Sequence, residues 1–306
     1  MIDVHHHVAP ESWLASSASP DQARAFKGWS ISKALEEMDR SGVTTAYAST
    51  VVAGDGSGSP DAARRTCREL NDYMAGLRAG HPGRFGVFAT LPMPDIDATL
   101  AEIAYAYDTL QAEGIGLFTS YGEKYLGNAA FDPVFAELNH RNAVVFVHPT
   151  SAPCCNALQP WLPPAQIEYG TDTTRAIAEY VFSGASQRFP AVRMIWSHAG
   201  GTMPFLVQRF INTGNGSMKA KTPSGFLPEA QKFFYDTAQV ASRGAMLALR
   251  EIVPVSQVLY GTDYPFRTFD WTTEMLAAGA VFDADEMRGV LSGNAAALLR
   301  PASRRA

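Results

Sequence analysis

Cysteine is scarce in this chain, long apolar runs are missing, and so are clusters of basic charge. Three cysteines in 306 residues, Cys67, Cys154 and Cys155, are an odd count that builds no disulfide framework and suits a reducing compartment. Neighbouring cysteines point apart, so Cys154 and Cys155 are read as structural or incidental rather than as a metal pair. No uninterrupted apolar stretch approaches the roughly 20 residues that a membrane-spanning helix needs. Strand-like sequence begins at Ile2, which leaves no room for a secretory leader, and the expected location is cytoplasmic. Lys and Arg number 25 against 30 Asp and Glu, a formal net charge of −5, which argues against nucleic acid or anionic membranes as partners. A Gly-rich phosphate loop opening a helix is also lacking. GDGSGSP (54–60) is turn-rich but lacks nucleotide-binding spacing, and is read as a rim loop.

Hydrophobic residues, at 46%, supply a large core, and eight short β-branched or aromatic runs punctuate the chain. They are IDVH (2–5), VTTAYAST (43–50), FGVFATLP (85–92), IGLFTSY (115–121), AVVFVHP (143–149), VRMIWSH (192–198), FFYDTAQ (233–239) and VLYGTDY (258–264). Helical patterns separate them, for example SISKALEEMDRSG (30–42), with Ile31, Leu35 and Met38 on one face and Gly42 as a stop. Strands apolar on both faces, alternating with helices, predict a parallel sheet covered by helices. Eight such units in this length predict one (β/α)₈ barrel over residues 1–306, a TIM barrel in the α/β class. The proline-rich segment 150–170 reads as an inserted, lid-like loop.

A barrel gathers its chemistry where its strands end. The first strand carries His5, His6 and His7 in apolar flanks unlike those of a purification tag. Alternation puts His5 and His7 on one face and turns His6 away with Val4 and Val8. The fifth run ends in His148, the sixth in His198, and the eighth contains Asp263. Each residue alone could cap a strand or a turn, but four of the seven histidines at these ends are hard to ascribe to chance. Three imidazoles and a carboxylate suit zinc first and manganese second, with His5, His7, His148 and Asp263 as the ligands. His198 is either a further ligand or an acid/base next to one.

The motifs IDVHHH, FVHP, SHAGGTMP and YGTDYPF, in this order across nearly the whole chain, resemble the amidohydrolase superfamily. Within it they resemble the aminocarboxymuconate semialdehyde decarboxylase-like branch. The resemblance implies a (β/α)₈ barrel with one divalent metal on His5, His7, His148 and Asp263, His198 as acid/base, and a homodimer or larger homo-oligomer. Two departures narrow it. The bridging lysine of binuclear members is missing from IGLFTSY, Lys124 lying beyond it in a loop, which favours a single ion. Ala34 stands near the place of the arginine that grips the muconate carboxylate. The texture of residues 114–150 is closer to 6-methylsalicylate decarboxylases.

The implied reaction is decarboxylation of a small aromatic carboxylic acid of the ortho-hydroxybenzoate type. Phenolate and carboxylate oxygens together chelate the metal, so no arginine clamp is needed. Asp263 is the expected proton donor to the ring carbon, His198 its relay or the group that orients the phenolate. Phe266 and Trp161 are the expected ring contacts. Two alternatives remain: a mononuclear lactonase or amidase using metal-activated water, and a metal-binding protein without catalysis.

Overall fold

The computed structural model describes residues 1–16, 24–51, 59–152, 155 and 161–299. Among these residues ten strands lie in chain order: β1 (Ile2–His7), β2 (Thr45–Ser49), β3 (Phe85–Thr90), β4 (Gly114–Phe118), β5 (Ser120–Tyr121), β6 (Lys124–Tyr125), β7 (Val144–His148), β8 (Arg193–Trp196), β9 (Phe234–Asp236) and β10 (Val258–Leu259). Eight of them form a parallel sheet in the order β1-β2-β3-β4-β7-β8-β9-β10, and β5 and β6 form a small hairpin above β4. The eight runs expected as strands are these eight, and helices occupy the intervals between them.

The last strand is the shortest of the eight in this sheet, with only two ladder residues, yet the sheet closes. Val4 N–H donates to Tyr260 O at 3.0 Å, Asp263 N–H to His5 O at 2.8 Å, and His7 N–H to Tyr264 O at 2.7 Å. Asp3 pins the same seam with its carboxylate, accepting from Thr262 N–H at 3.1 Å and Thr262 Oγ1–H at 2.7 Å. Closure removes the open edge and fixes the β10 extension, and with it Asp263, against the histidine strand. Among the described residues no helix is long and apolar enough to cross a membrane.

The register of β1 departs from plain alternation. Asp3 pairs with Ala46 and His6 with Ala48, so Val4 and His5 together stand opposite Tyr47, a β-bulge. Val4 therefore packs in the barrel interior with Phe88, Phe146, Ile195 and Leu259, while His5 and His7 also face inward. The expectation that Val4 shares the outer face with His6 and Val8 is corrected by the bulge; Val8 does pack in the outer core. His6 turns outward as expected, stacked on Tyr264 with ring centroids 4.8 Å apart and on Phe269 at 5.8 Å.

His6 is fully buried, so His6→Ala should leave metal content unchanged and lower stability by about 2–4 kcal/mol through the cavity it opens. Urea unfolding and metal analysis of the folded variant check both halves; a lost metal equivalent would contradict the outward placement.

Candidate metal centre and active site

Interior side chains below the histidines include an aromatic stack. Tyr47 stacks on Phe88 (5.2 Å) and Phe88 on Phe146 (5.5 Å), and the His5 ring meets Phe146 edge-on at 4.9 Å. On this floor His5, His7, His148, His198 and Asp263 all lie at most 8% exposed.

Hydrogen bonds on the far side of each imidazole set its tautomer, because their partners can only accept. His5 Nδ1–H donates to Asp236 Oδ2 at 2.8 Å. His148 Nδ1–H donates to Pro149 O at 3.0 Å. The Ser49 hydroxyl donates to His6 O at 3.2 Å and so accepts from His7 Nδ1–H at 3.0 Å. All three Nε2 atoms are left with lone pairs.

Those lone pairs converge with a carboxylate. His5 Nε2 and His7 Nε2 are 3.0 Å apart, and Asp263 Oδ1 lies 3.0 Å from His7 Nε2 and 3.2 Å from His5 Nε2. His5, His148, His198 and Asp263 each offer a ligand atom, all within 4.8 Å of one another. Acceptors so close repel one another unless a positive charge sits among them. Ligand atoms bound at about 2.0–2.2 Å to one ion stand roughly 3 Å apart, so the residues fit a divalent metal. Without one, charge is shared unequally. Burial disfavours a charged His5, but Asp236 and Asp263 outweigh it and raise its pKa to about 10. Burial pushes His7 down to about 4, and burial with the neighbouring imidazoles holds His148 well below the usual imidazole range. Burial opposes ionisation of Asp263 as well, yet His5 and the surrounding imidazole hydrogen bonds hold it well below the ordinary carboxylate range.

The second carboxylate oxygen of Asp263 faces elsewhere. Its Oδ2 accepts from Gln239 Nε2–H at 2.7 Å and lies 3.6 Å from His198 Nε2. Neither ring nitrogen of His198 has a hydrogen-bond partner, so this imidazole is free to meet a ligand. Backbone conformation is unusual at all three positions: His198, Gln239 and Asp263 have φ of +55°, +61° and +65°. Such left-handed non-glycine residues, costing roughly 1–2 kcal/mol each, cluster where function requires them.

Two residues at this centre escaped the sequence reading. Asp236, fully buried at the end of β9, accepts from His5 Nδ1–H (2.8 Å), His198 N–H (2.8 Å) and Ala238 N–H (3.0 Å). The approach needs Gly261, where a Cβ would come within 2.9 Å of both Asp236 Cβ and His5 Cβ. The strand-end rule applied to YDT in FFYDTAQ would have found Asp236; a neutral amide in a loop, as at Gln239, carries no such signal.

Of the two expected ring contacts, Phe266 is at the centre, edge-on to His7 at 5.8 Å and backed by Phe26 at 6.2 Å. Trp161 is not brought there: it is 77% exposed, on the stretch leading to the helix Glu168–Phe182. Most of the 150–160 part of the expected lid loop, Cys154 included, lies outside the described residues, as does most of the loop at 54–60. Cys155 is buried, its Sγ 3.7 Å from Arg175 Nη2. Lys124 is exposed on β6, away from the imidazoles.

Comparison with known proteins gives a consistent picture. A family model described as Amidohydrolase matches residues 2–300. The chain is 36% identical over 283 residues to decarboxylase macB of Penicillium terrestre, covering 87% of this chain and 84% of the relative. It is 36% identical over 278 residues to a 6-methylsalicylic acid decarboxylase of Penicillium expansum, covering 86% and 84%. A dihydroxybenzoic acid decarboxylase from Polaromonas sp. JS666, solved with manganese and the inhibitor 2-nitroresorcinol, superimposes with a TM-score of 0.86. It is 21% identical, with 97% of this chain and 96% of that one covered.

Proposed function

The chain belongs to the amidohydrolase family, and from that premise we propose that it is a metal-dependent, non-oxidative decarboxylase of a small ortho-hydroxybenzoate of the 6-methylsalicylate type. The observation that carries this is the convergence of imidazole lone pairs and one Asp263 oxygen on an aromatic floor, in a chain 36% identical to a 6-methylsalicylic acid decarboxylase. His5, His7, His148 and Asp263 are the assigned ligands. His198 is assigned as acid/base because its Nε2 faces Asp263 Oδ2 at 3.6 Å, the oxygen turned away from His5 and His7. Zinc is the first ion to test and manganese the second. When bound, the ion would hold the phenolate and carboxylate oxygens of the substrate and withdraw negative charge from the ring.

The remaining work belongs to protein side chains. Asp263 starts as a carboxylate, so the proton it needs arrives with the substrate, from the phenol to Oδ2. Gln239 keeps that oxygen oriented. Delivery of the proton to the ring carbon bearing the carboxylate forms a C–H bond; the C–C bond then breaks, its electron pair restores the aromatic ring, and carbon dioxide leaves. His198 returns a proton to the phenolate oxygen of the product. Burial of Asp263 and His198 strengthens their electrostatic contacts.

The test is metal-analysed protein incubated with 6-methylsalicylate, salicylate and 2,6-dihydroxybenzoate. Stoichiometric phenol and carbon dioxide, abolished by chelator and restored by zinc or manganese, are expected. Silence with all three at full metal content, with turnover of aryl esters or lactones, would overturn the reading in favour of a hydrolase.

His198→Asn should retain the metal and lose about 10²–10⁴ in kcat, the usual share of a positioned acid/base. Asn tolerates the left-handed backbone there, so folding should survive. Metal analysis beside steady-state kinetics decides it, and an unchanged kcat would remove His198 from the mechanism.

A further inference from the structure

Beside His148 the inner wall of the barrel has a gap. Gly116 and Phe118 of β4 stand opposite Phe146 and His148 of β7, and share their inward face. Side chains normally fill the interior of an eight-stranded barrel. An inward glycine therefore either makes way for a neighbour or leaves space for a ligand. The two inward glycines of β4 separate into these two cases. A Cβ on Gly114 would meet Val144 O at 2.7 Å and Phe88 Cδ1 at 2.9 Å, so that position is taken by the Phe88 ring. A Cβ on Gly116 would meet nothing nearer than Phe88 O at 3.5 Å.

The space before Gly116 is a recess walled by Phe88, Phe118, Phe146 and His148, with room at its centre for a single water-sized group. Three hydroxyl-bearing residues, Ser49, Thr50 and Thr90, stand at its rim, and the hydroxyls of Ser49 and Thr90 are engaged elsewhere. Ser49 bonds His6 O and His7 Nδ1, and Thr90 bonds the Cys67 thiol, which burial pushes up to about 12. Apart from Thr50, aromatic carbon dominates what remains.

We propose that this recess receives one small apolar substituent of the substrate ring, a methyl or a halogen, and that Gly116 sets this preference. The inference rests on the decarboxylase reading and names the substrate class more narrowly: ortho-hydroxybenzoates carrying a single one-carbon or halogen substituent on the ring edge turned towards β4. Gly116→Ala places a methyl group where the substituent would sit, at ordinary contact distances from the fold.

The experiment compares wild type, Gly116→Ala and Phe118→Leu by kcat/KM on salicylate, its 3-, 4-, 5- and 6-methyl isomers and the corresponding ethylsalicylates. Binding of phenol and the methylphenols by calorimetry is a second readout, and thermal unfolding checks folding. Wild type should prefer one methyl isomer over salicylate. Gly116→Ala should reduce that ratio about tenfold or more, the scale on which hydrophobic pockets sense one carbon, and Phe118→Leu should extend acceptance to an ethyl group. Equal changes for all substrates would overturn the recess while leaving the decarboxylase standing. If wild type turns over none of these acids at full metal content, the decarboxylase reading fails; wild type binding no methylphenol more tightly than phenol overturns the recess by itself.

Discussion

Asp263→Asn is expected to reduce turnover by at least about 10³-fold and to release most of the metal. The replacement is nearly isosteric, and Asn is among the few residues that accept the φ of +65° found there, so the fold should hold. Chemistry changes at both oxygens. Where Oδ1 now faces the lone pairs of His5 and His7 at 3.2 and 3.0 Å, the variant has a neutral amide, removing the one negative charge assigned to the ligand set. If the amide nitrogen takes that place, its hydrogens cap the lone pairs that an ion needs. If it takes the Oδ2 place, it confronts the Gln239 amide donor 2.7 Å away and no carboxyl remains to carry a proton. Metal analysis and kcat at saturating metal separate the two losses. A variant within tenfold of wild type at full occupancy would show that Asp263 is a ligand at most.

Asp236→Ala should weaken metal binding about 10–100-fold, the usual consequence of removing the partner that orients a ligating histidine. Three buried N–H donors lose their acceptor at once: His5 Nδ1, His198 N and Ala238 N. The first loss frees the His5 ring to change tautomer and direct a proton at the metal position. The second loosens a residue held at φ +55°, so kcat should stay depressed even when excess metal restores occupancy. A metal titration followed by kinetics at saturation checks this. Full recovery of kcat would confine Asp236 to the His5 side.

Much of this centre was legible in the sequence for a physical reason. Strand ends can be located from β-branched runs, and histidine is rare enough that its position beside a run carries information; His5, His7, His148 and His198 were found in this way. Asp236 obeys the same rule, but carboxylates are common, and an Asp after a strand also suits a turn. Gln239 meets Asp263 only because two loops close over the barrel, a contact that local pattern does not encode. Trp161 looked like a ring contact because aromatics in long loops often are, yet its side chain is 77% exposed. Gly116 carried no signal in the sequence, because its open front depends on where Phe88 lies.

The bulge in β1 bears on how the histidine triplet can be read at all. In an evenly paired strand that kept Val4 inward, the pleat would turn His6 towards the axis and send His5 and His7 to the helices. By setting two residues, Val4 and His5, against one, the strand changes frame between its lower half, which plugs the barrel, and its upper half, which does chemistry. The same three letters, HHH, therefore acquire their inward and outward directions from a single extra residue in the strand.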